Sequence, residues 1–422
     1  MKSIQNLQDI QNISTFLHNQ GTFEFPTLPT GLFPAATVQD KAEYTGYQSI
    51  WVRDNIHIAH AHYVLGQTNI AIKNITSLLT YFQKHQWRFQ TIIEGKANPQ
   101  EVMNRPHVRF DGNNLEEIKQ KWAQAQNDAL GYFLWFYCKL VNEGILTTQP
   151  EHLELIALLP LYFQAISYWQ DEDSGHWEEV RKVEASSLGV VVAGLKELKQ
   201  LLSKTSLASA CKYKDKIITN PLLDKLIEQG NTALKTILPA ECIQNEPTKN
   251  RRYDAALLFL IYPLQIVEEE IANQILDDVI NNLQGERGIS RYLGDSYWCA
   301  DYKAKLAPEE RTIDFSDNMS WRDTLLKEGE EAQWCIFDPI ISAIFGLKFQ
   351  KTRQNKYLEQ QIHYLNRSLS QLTGENSEFG KYKCPELYYL EKGHYLPSDA
   401  TPLLWTQANL LIALKMAEYS LL

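Results

Sequence analysis

The sequence lacks several features that would mark a class of protein. Its six cysteines show no CxxC spacing, so we expect no zinc site built on cysteine pairs. No apolar run reaches the roughly 18–20 residues that cross a bilayer, and the opening stretch, MKSIQNLQDIQNIS, has no apolar signal region. We therefore expect a cytoplasmic protein with reduced thiols and no place in a membrane.

Clustered positive charge is also absent. The 422 residues carry 51 acidic and 41 basic side chains, which gives a formal net charge of −10. A nucleic-acid surface needs clustered lysine and arginine to neutralise phosphates, and pairs such as Arg251–Arg252 are isolated. These properties argue against nucleic acid as a partner and leave the oligomeric state open.

What the sequence does contain is helical periodicity. Apolar residues recur at spacings of three and four in eleven segments, and an N-terminal helix near residues 4–18 would make twelve. Several segments are apolar nearly all round, which indicates burial. No convincing alternating strand is visible, only short candidates such as HVRF at 107–110. The eleven segments are 56–66, 70–82, 117–141, 153–169, 188–202, 222–238, 255–264, 269–284, 333–347, 357–372 and 402–421.

This helix count predicts the fold class. Consecutive buried helices joined by loops form paired layers, and about twelve of them suggest an all-α, (α/α)6 toroid of six helical hairpins. No Pro/Gly/Ser-rich linker divides the chain. We therefore predict a single domain over residues 1–422, with residues 1–40 forming an N-terminal helix and lead-in.

The sequence predicts long loops over residues 19–48, 87–114, 171–186, 285–330 and 374–401, and these loops contain unusual residues. Loops of this length in a compact domain are often functional. Tryptophan at such positions either caps a core or offers a flat surface on which a sugar ring stacks. Seven of the ten tryptophans lie in the loops or at their edges: Trp51, Trp87, Trp169, Trp177, Trp298, Trp321 and Trp405.

The stretch SGHWEEVRKVEASS (174–187) places adjacent carboxyl groups between two apolar segments. Glu178 and Glu179 repel each other, and both cannot be buried without raising one pKa. A carboxyl group held protonated near an apolar wall such as Trp177 is what a general acid for a glycosidic oxygen requires. The alternative is a solvated acidic loop, which the flanking aromatic residues disfavour.

A second carboxyl group lies in KCPELYYLEKG (383–393), where Glu386 follows a proline among aromatic residues. Inverting glycosidases place two carboxyl groups about 6.5–9.5 Å apart to leave room for a water molecule. Glu386 is 208 residues from Glu178 (386 − 178), so only the fold can bring them together. Taken alone, Glu386 would be a surface acid in a loop.

Three other motifs carry polar side chains beside aromatic ones. WVRDN (51–55) offers Arg53 and Asp54, which suit a ligand with several hydroxyl groups or form a local ion pair at a helix start. KWAQAQNDALGY (121–132) and GISRYLGDSYW (288–298) either line a site or satisfy helix ends. His57 and His60 share helical spacing, but no HExxH pattern accompanies them, so we expect neither a metal nor a cofactor.

Taken together and in their order along the chain, the five motifs resemble the glucoamylase family, glycoside hydrolase family 15. They resemble the phosphorylase kinase α/β-like relatives of that family more closely still. The resemblance extends over roughly residues 45–420 and implies the same six-hairpin toroid, with an active site where the long loops meet. The sequence contains no starch-binding module, so we expect action on short soluble glucans.

The resemblance also implies roles for ten residues. Glu178 would be the general acid and Glu386 the general base, and the other eight would bind the sugar. Those eight are Arg53, Asp54, Trp122, Asp128, Trp177, Glu179, Arg291 and Trp405.

Three functions follow as hypotheses. The first is an inverting exo-glucosidase that acts on α-linked gluco-oligosaccharides. The second is a non-catalytic glucan-binding regulatory protein, because the PELYY context of Glu386 is that of the kinase-subunit relatives. The third is a helical scaffold whose acidic groups are only solvated.

Overall fold

The structure, a computed structural model, describes residue 4, residues 6–37 and residues 40–422. Residues 1–3, 5 and 38–39, which belong to the predicted N-terminal helix and lead-in, lie outside these ranges. Within them, no helix combines the length and apolar character needed to cross a bilayer.

Helices dominate the described residues, as the apolar spacing predicts. Each of the eleven periodic segments contains a helix, although the bounds differ. The helices are α1 (Leu7–Asn19), α2 (Val52–Val64), α3 (Thr68–Lys84), α4 (Trp87–Ile93), α5 (Asn127–Asn142), α6 (Pro150–Ala165), α7 (Ala185–Lys204), α8 (Asn220–Ile237), α9 (Leu258–Ile261), α10 (Glu269–Leu283), α11 (Tyr302–Lys305), α12 (Ser320–Asp323), α13 (Phe337–Thr352), α14 (Asn355–Ser370) and α15 (Leu404–Leu421).

Six helices form a closed inner ring. Helices α2, α5, α7, α9, α13 and α15 contact one another in this order, and α15 returns to contact α2. They come from segments that are apolar nearly all round, and α2 accordingly buries every residue from Val52 to His62. The predicted toroid fold is confirmed.

The remaining long helices pack outside this ring. Helix α1 contacts α15, α3 contacts α2, α8 contacts α7, α10 contacts α9, and α14 contacts α13, while α6 packs on α3 and α5. Most of them bury a single stripe because their apolar residues lie on one face. Each buried leucine in such a stripe contributes about 1.5–3 kcal/mol to stability. In α8 the stripe is Leu223, Leu226, Gly230, Leu234 and Ile237.

Helices α5 and α7 pack backbone to backbone at Gly131 and Gly194. A Cβ on Gly194 would lie 2.9 Å from the carbonyl oxygen of Gly131, and one on Gly131 would lie 2.8 Å from the amide nitrogen of Val191. Only glycine fits at these two positions. The close packing fixes the position of α5 relative to α7, and both helices begin beside the site described below.

Short antiparallel strands lie in the long loops, although the sequence shows no convincing alternating strand. They form the sheets β1–β2–β3 and β6–β7–β8 and the hairpin β4–β5. Strand β1 leads directly into α2, and β6 leads into α13. The strands are β1 (Ile50–Trp51), β2 (Arg109–Asp111), β3 (Glu116–Glu117), β4 (Lys212–Tyr213), β5 (Lys216–Ile217), β6 (Gln333–Trp334), β7 (Leu387–Glu391) and β8 (His394–Pro397).

The prediction of a helix from residue 117 is wrong. Helix α5 begins at Asn127, and residues 118–126 are irregular. In this stretch the Gln124 side chain accepts a hydrogen bond from the Val108 amide (2.9 Å), and the Gln126 side chain accepts one from Arg53 Nη1 (3.0 Å). These tertiary contacts outweigh the local helical pattern.

Candidate active site

A cavity of about 790 Å³ opens to solvent at the end of the ring where α2, α13 and α15 begin. This volume includes the solvent-filled mouth of the cavity. Tryptophan, tyrosine, arginine and acidic side chains share its lining. Eight of the ten predicted site residues line it: Arg53, Asp54, Trp122, Trp177, Glu178, Arg291, Glu386 and Trp405.

Glu178 lies in the wall of the cavity with a strained backbone. It follows the 3-10 turn Gly175–Trp177 and has φ 58°, in the left-handed region. That conformation costs a non-glycine residue about 1–3 kcal/mol and persists only where the surroundings impose it. The carboxyl group accepts hydrogen bonds from Gln126 Nε2 (3.0 Å), Trp122 Nε1 (3.1 Å) and Arg53 Nη2 (3.3 Å).

The environment of Glu178 favours its protonated form. Burial raises the pKa of this carboxyl group, while the charges of Arg53 and Arg109 and the hydrogen bond from Gln126 act in the opposite direction. The net shift is upward. The side chain keeps 16% of its surface exposed at the cavity, so a proton held there can reach a bound ligand.

Glu386 lies deeper, immediately before β7, and is 2% exposed. Its carboxyl group accepts hydrogen bonds from the Tyr47 hydroxyl (2.6 Å) and the Ser398 hydroxyl (3.3 Å). Burial raises its pKa to about 7, although the Tyr47 hydrogen bond and the charge of Arg291 lower it. Near neutral pH this carboxyl group can therefore accept or release a proton.

Asp54 adds a third carboxyl group to the lining. Burial raises its pKa to about 7, Arg53 opposes that shift, and Glu178 adds to it. Asp54 in turn raises the pKa of Glu386 through its charge. The three acids therefore share one electrostatic environment, and their protonation depends on the basic residues around them.

Arg53 holds the first turn of α2 against the wall of the cavity. Its Nη1 donates to Asp128 (2.8 Å) and to Gln126 (3.0 Å). Asp128 is fully buried, with 0% exposure, and it does not line the cavity. The prediction of a direct sugar contact for Asp128 is therefore corrected, because this residue fixes Arg53 from behind.

The prediction of a sugar contact for Glu179 is corrected in the same way. Glu179 is 1% exposed and absent from the cavity lining. Its carboxyl oxygens accept from Arg291, Arg322, Arg251 and Tyr292. Burial raises the pKa of Glu179, but the charges of the three arginines outweigh burial and hold the pKa far below its usual range. Two of those arginines, Arg291 and Arg322, line the cavity.

The tryptophans give the cavity walls and a floor. Trp177 donates its indole N–H to Asp254 (3.0 Å), which fixes the plane of its ring. Trp405 lies against His57 at a ring separation of 4.4 Å. The indole nitrogens of Trp405 and Trp334 are buried without a hydrogen-bond partner. Because both rings line the cavity, a bound polar ligand can accept hydrogen bonds from them.

The sequence did not predict several residues of this lining. Tyr47, Tyr297, Arg322 and Trp334 all line the cavity. Nothing in the sequence distinguishes Tyr47 from the other 20 tyrosines (21 − 1), whereas Tyr297 lies in the motif 288–298 but was given no role there. Arg322 lies within the long loop 285–330 that drew attention, but no motif pointed to it.

Metal binding has no evident location here. Among residue 4, residues 6–37 and residues 40–422, no group of three His, Cys, Asp or Glu side chains is arranged to hold a metal ion. His57, considered as a ligand from its spacing, stacks on Trp405 and contacts the tilted ring of Phe259 at 4.9 Å.

Comparison with known proteins identifies the family. Residues 19–307 match the sequence profile described as "Glycosyl hydrolases family 15". The chain belongs to this family. Solved structures of a glycosidase, one of them a variant in complex with glucose, share the fold: the glucose complex has a TM-score of 0.65 and 15% identity, with 97% of each chain covered.

Another solved structure and a curated relative extend this comparison. The glucoamylase of Saccharomycopsis fibuligera has a TM-score of 0.58 and 13% identity, over 100% of this chain and 98% of that one. A probable phosphorylase b kinase regulatory subunit alpha of Caenorhabditis elegans is 24% identical over 415 residues, which are 88% of this chain and 31% of that protein. The chain thus spans about a third of the length of that kinase subunit.

Proposed function

We propose that the protein is an inverting, exo-acting glycoside hydrolase that releases glucose from α-linked gluco-oligosaccharides. Glu178 is the general acid and Glu386 the general base. The observation that carries this proposal is the convergence of these two carboxyl groups, 208 residues apart (386 − 178), on one cavity with separate sets of hydrogen-bond partners. Family 15 membership supports the same reaction class.

The two carboxyl groups divide the chemistry between them. Glu178, whose pKa is raised by burial, donates its proton to the glycosidic oxygen as the bond to the anomeric carbon breaks. A water molecule attacks that carbon from the opposite face and passes a proton to Glu386. The anomeric configuration inverts, so an α-linked substrate yields β-glucose. Proton exchange with solvent then restores both groups.

Tyr47 supports the base in this scheme. Its hydroxyl donates to Glu386 over 2.6 Å and favours the ionised form, which is the form that accepts a proton. The Tyr297 hydroxyl lies 3.2 Å from that of Tyr47. The two tyrosines therefore fix the carboxylate that has to orient the attacking water.

The other lining residues bind the terminal glucose in this proposal. Arg53, Asp54 and Arg291 offer donors and acceptors for several hydroxyl groups. Trp177 and Trp405 supply flat apolar surfaces. A related glycosidase has been solved in complex with glucose, and a bacterial glucoamylase of the same fold in complex with acarbose. These complexes support a glucose-containing ligand.

The shape of the cavity supports exo action in this proposal. The ring closes beneath it, with Trp405, Phe259 and His57 packed against one another. A cavity with such a floor accepts the end of a sugar chain and excludes its interior. Only a terminal residue can then be cleaved.

A regulatory glucan-binding protein is the second candidate. The match to a kinase regulatory subunit favours it. So do the three donors that contact Glu178, because they stabilise the ionised form, which cannot protonate a leaving group. This candidate predicts saturable binding of oligosaccharides without turnover.

Paired measurements of glucose release and sugar binding test the proposal. Wild type, Glu178→Gln and Glu386→Gln are incubated with maltose, isomaltose and maltotetraose, and affinity is followed by calorimetry. We expect each substitution to lower kcat by about 10²–10⁴-fold while binding persists. An unchanged rate in either variant removes that residue from its role, and binding without turnover by wild type favours the regulatory candidate.

A further inference from the structure

One loop segment covers the mouth of the cavity. Residues 302–331, here called the rim segment, contain only the short helices α11 and α12 and one 3-10 turn. Four consecutive residues of this segment, 312–315, line the cavity. The rim segment therefore forms part of the site itself.

Hydrogen bonds hold the rim segment on the barrel from both sides. Thr312 donates its hydroxyl to the carbonyl of Tyr44 over 3.2 Å. Arg322 donates to Glu179 (2.9 Å) and to the Ser296 hydroxyl (2.8 Å), and its guanidinium lies 4.6 Å above the ring of Phe315. These contacts give residues 312–315 a defined position over the cavity.

Within this segment, one carboxyl oxygen of Asp314 accepts no hydrogen bond. Its Oδ1 accepts from the amide of Ser316 (2.9 Å), which fixes the rotation of the side chain. Its Oδ2 is buried and has no hydrogen-bond partner. Leaving a buried acceptor unsatisfied is unfavourable. Because Asp314 lines the cavity, a bound ligand can supply the missing donor.

The rim segment lies on the Glu178 side of the cavity. Lys121 forms an ion pair with Asp317 of the rim segment. The next residue along the chain, Trp122, donates its indole N–H to Glu178. The segment next to Asp314 therefore lies beside the wall that holds the proposed acid. Asp314 is half-buried, whereas Glu386 is 2% exposed, so Asp314 lies nearer the mouth than the base does.

A general acid marks the leaving-group side of a glycosidase site, because it must contact the glycosidic oxygen. The sugar beyond that oxygen therefore lies between Glu178 and the mouth. We propose that Asp314 is a specificity-determining residue that accepts a hydrogen bond from a hydroxyl group of this leaving sugar. The inference rests on the proposed function, and it names the substrate class as oligosaccharides with a hydroxylated leaving group.

Substrates with and without a leaving sugar test this role. The rate constants kcat and KM are measured for wild type and Asp314→Ala on maltose or isomaltose, whichever wild type cleaves, and on α-D-glucosyl fluoride. We expect a loss of kcat/KM of roughly 10- to 100-fold on the disaccharide and less than about twofold on the fluoride. Asp314→Asn, whose one acceptor oxygen is used by the Ser316 amide, presents an NH2 group in place of Oδ2 and should show a loss on the disaccharide similar to that of Asp314→Ala.

Asp317→Ala is the matched control. It removes an acid of the same type three residues away, at an exposed position outside the cavity lining, and an exposed ion pair contributes little to stability. We expect near wild-type rates on both substrates. Equal losses of Asp314→Ala on the disaccharide and the fluoride, or no loss on either, would overturn the inference.

Binding separates failure of this inference from failure of the proposed function. If wild type cleaves neither substrate, the hydrolase proposal fails, and calorimetry with the disaccharide and with glucose then tests Asp314. We expect Asp314→Ala to weaken disaccharide binding about tenfold or more and to leave glucose binding unchanged. Unchanged disaccharide affinity, or no binding of either sugar by wild type, would overturn the inference.

Discussion

The Tyr47 hydroxyl donates a hydrogen bond to Glu386 Oε1 over 2.6 Å and so joins two residues that are 339 positions apart in the chain. Tyr47 precedes β1, and Glu386 precedes β7. Glu386 is almost completely buried, and burial alone favours its protonated form. The hydrogen bond opposes burial, so Tyr47 sets how much of the carboxyl group is ionised near neutral pH.

Replacement of Tyr47 by phenylalanine should raise the pKa of Glu386 above about 7. A hydrogen bond to a charged group is worth about 1.5–3 kcal/mol, which corresponds to an upward shift of about 1–2 pH units. Difference infrared spectra of wild type minus Glu386→Gln isolate the carboxyl band of Glu386 and give its titration midpoint. We also expect kcat to fall about tenfold or more, because the base is less ionised and less well oriented.

Tyr63→Phe is the control for this experiment. The Tyr63 hydroxyl also donates to a glutamate, Glu143, over 2.6 Å, but at an exposed position outside the cavity lining. The Tyr63→Phe substitution should leave both the titration midpoint of Glu386 and kcat unchanged. A midpoint that stays in place in Tyr47→Phe would show that Tyr47 does not control the ionisation of Glu386.

The adjacent residues Glu178 and Glu179 should respond to neutralisation in opposite ways. Glu179→Gln leaves the buried guanidinium groups of Arg291 and Arg322 without their carboxylate. Loss of one partner from a buried ion pair costs about 3–5 kcal/mol. Glu178→Gln removes a group whose pKa burial raises, so the free energy of unfolding at pH 7 should stay the same or increase.

Denaturant unfolding of the two variants and wild type at several pH values measures this contrast. The pKa of Glu179 is lowered by folding, so its contribution to stability is complete above its unfolded pKa of about 4.3 and is lost as the pH falls below that value. The gap between wild type and Glu179→Gln should therefore be largest near pH 7 and shrink in acid. Equal stability of both variants at pH 7 would contradict the assignment.

Much of the fold could be predicted because apolar residues report burial directly. Segments apolar all round became inner helices, and segments with one apolar stripe, such as α8, became outer ones. The helix predicted before Asn127 is absent because the side chains of Gln124 and Gln126 form hydrogen bonds with distant groups, which no local pattern reveals. Apart from β2, which overlaps the candidate HVRF, the short strands were missed for the same reason, since pairs such as Trp51–Arg109 join residues 58 positions apart (109 − 51).

The site could be predicted where the chemistry requires a particular type of residue. It could not be predicted where the role of a residue depends on its neighbours in the fold. Glu178 and Glu386 stood out because carboxyl groups beside aromatic residues are unusual. The sequence predicted that Asp128 and Glu179 contact the sugar. In the structure their carboxyl groups instead form ion pairs with Arg53 and Arg291, behind the wall of the cavity. Tyr47 gave no signal because its role rests on a contact with a residue 339 positions away.

The configuration of the first product tests the central proposal most directly. Purified protein is mixed with maltose, isomaltose and maltotetraose, and the anomeric proton signals are followed by NMR before mutarotation equilibrates them. β-Glucose appearing first would support an inverting hydrolase with Glu178 as acid and Glu386 as base. α-Glucose appearing first would contradict inversion, and broadened sugar signals without any glucose would contradict catalysis.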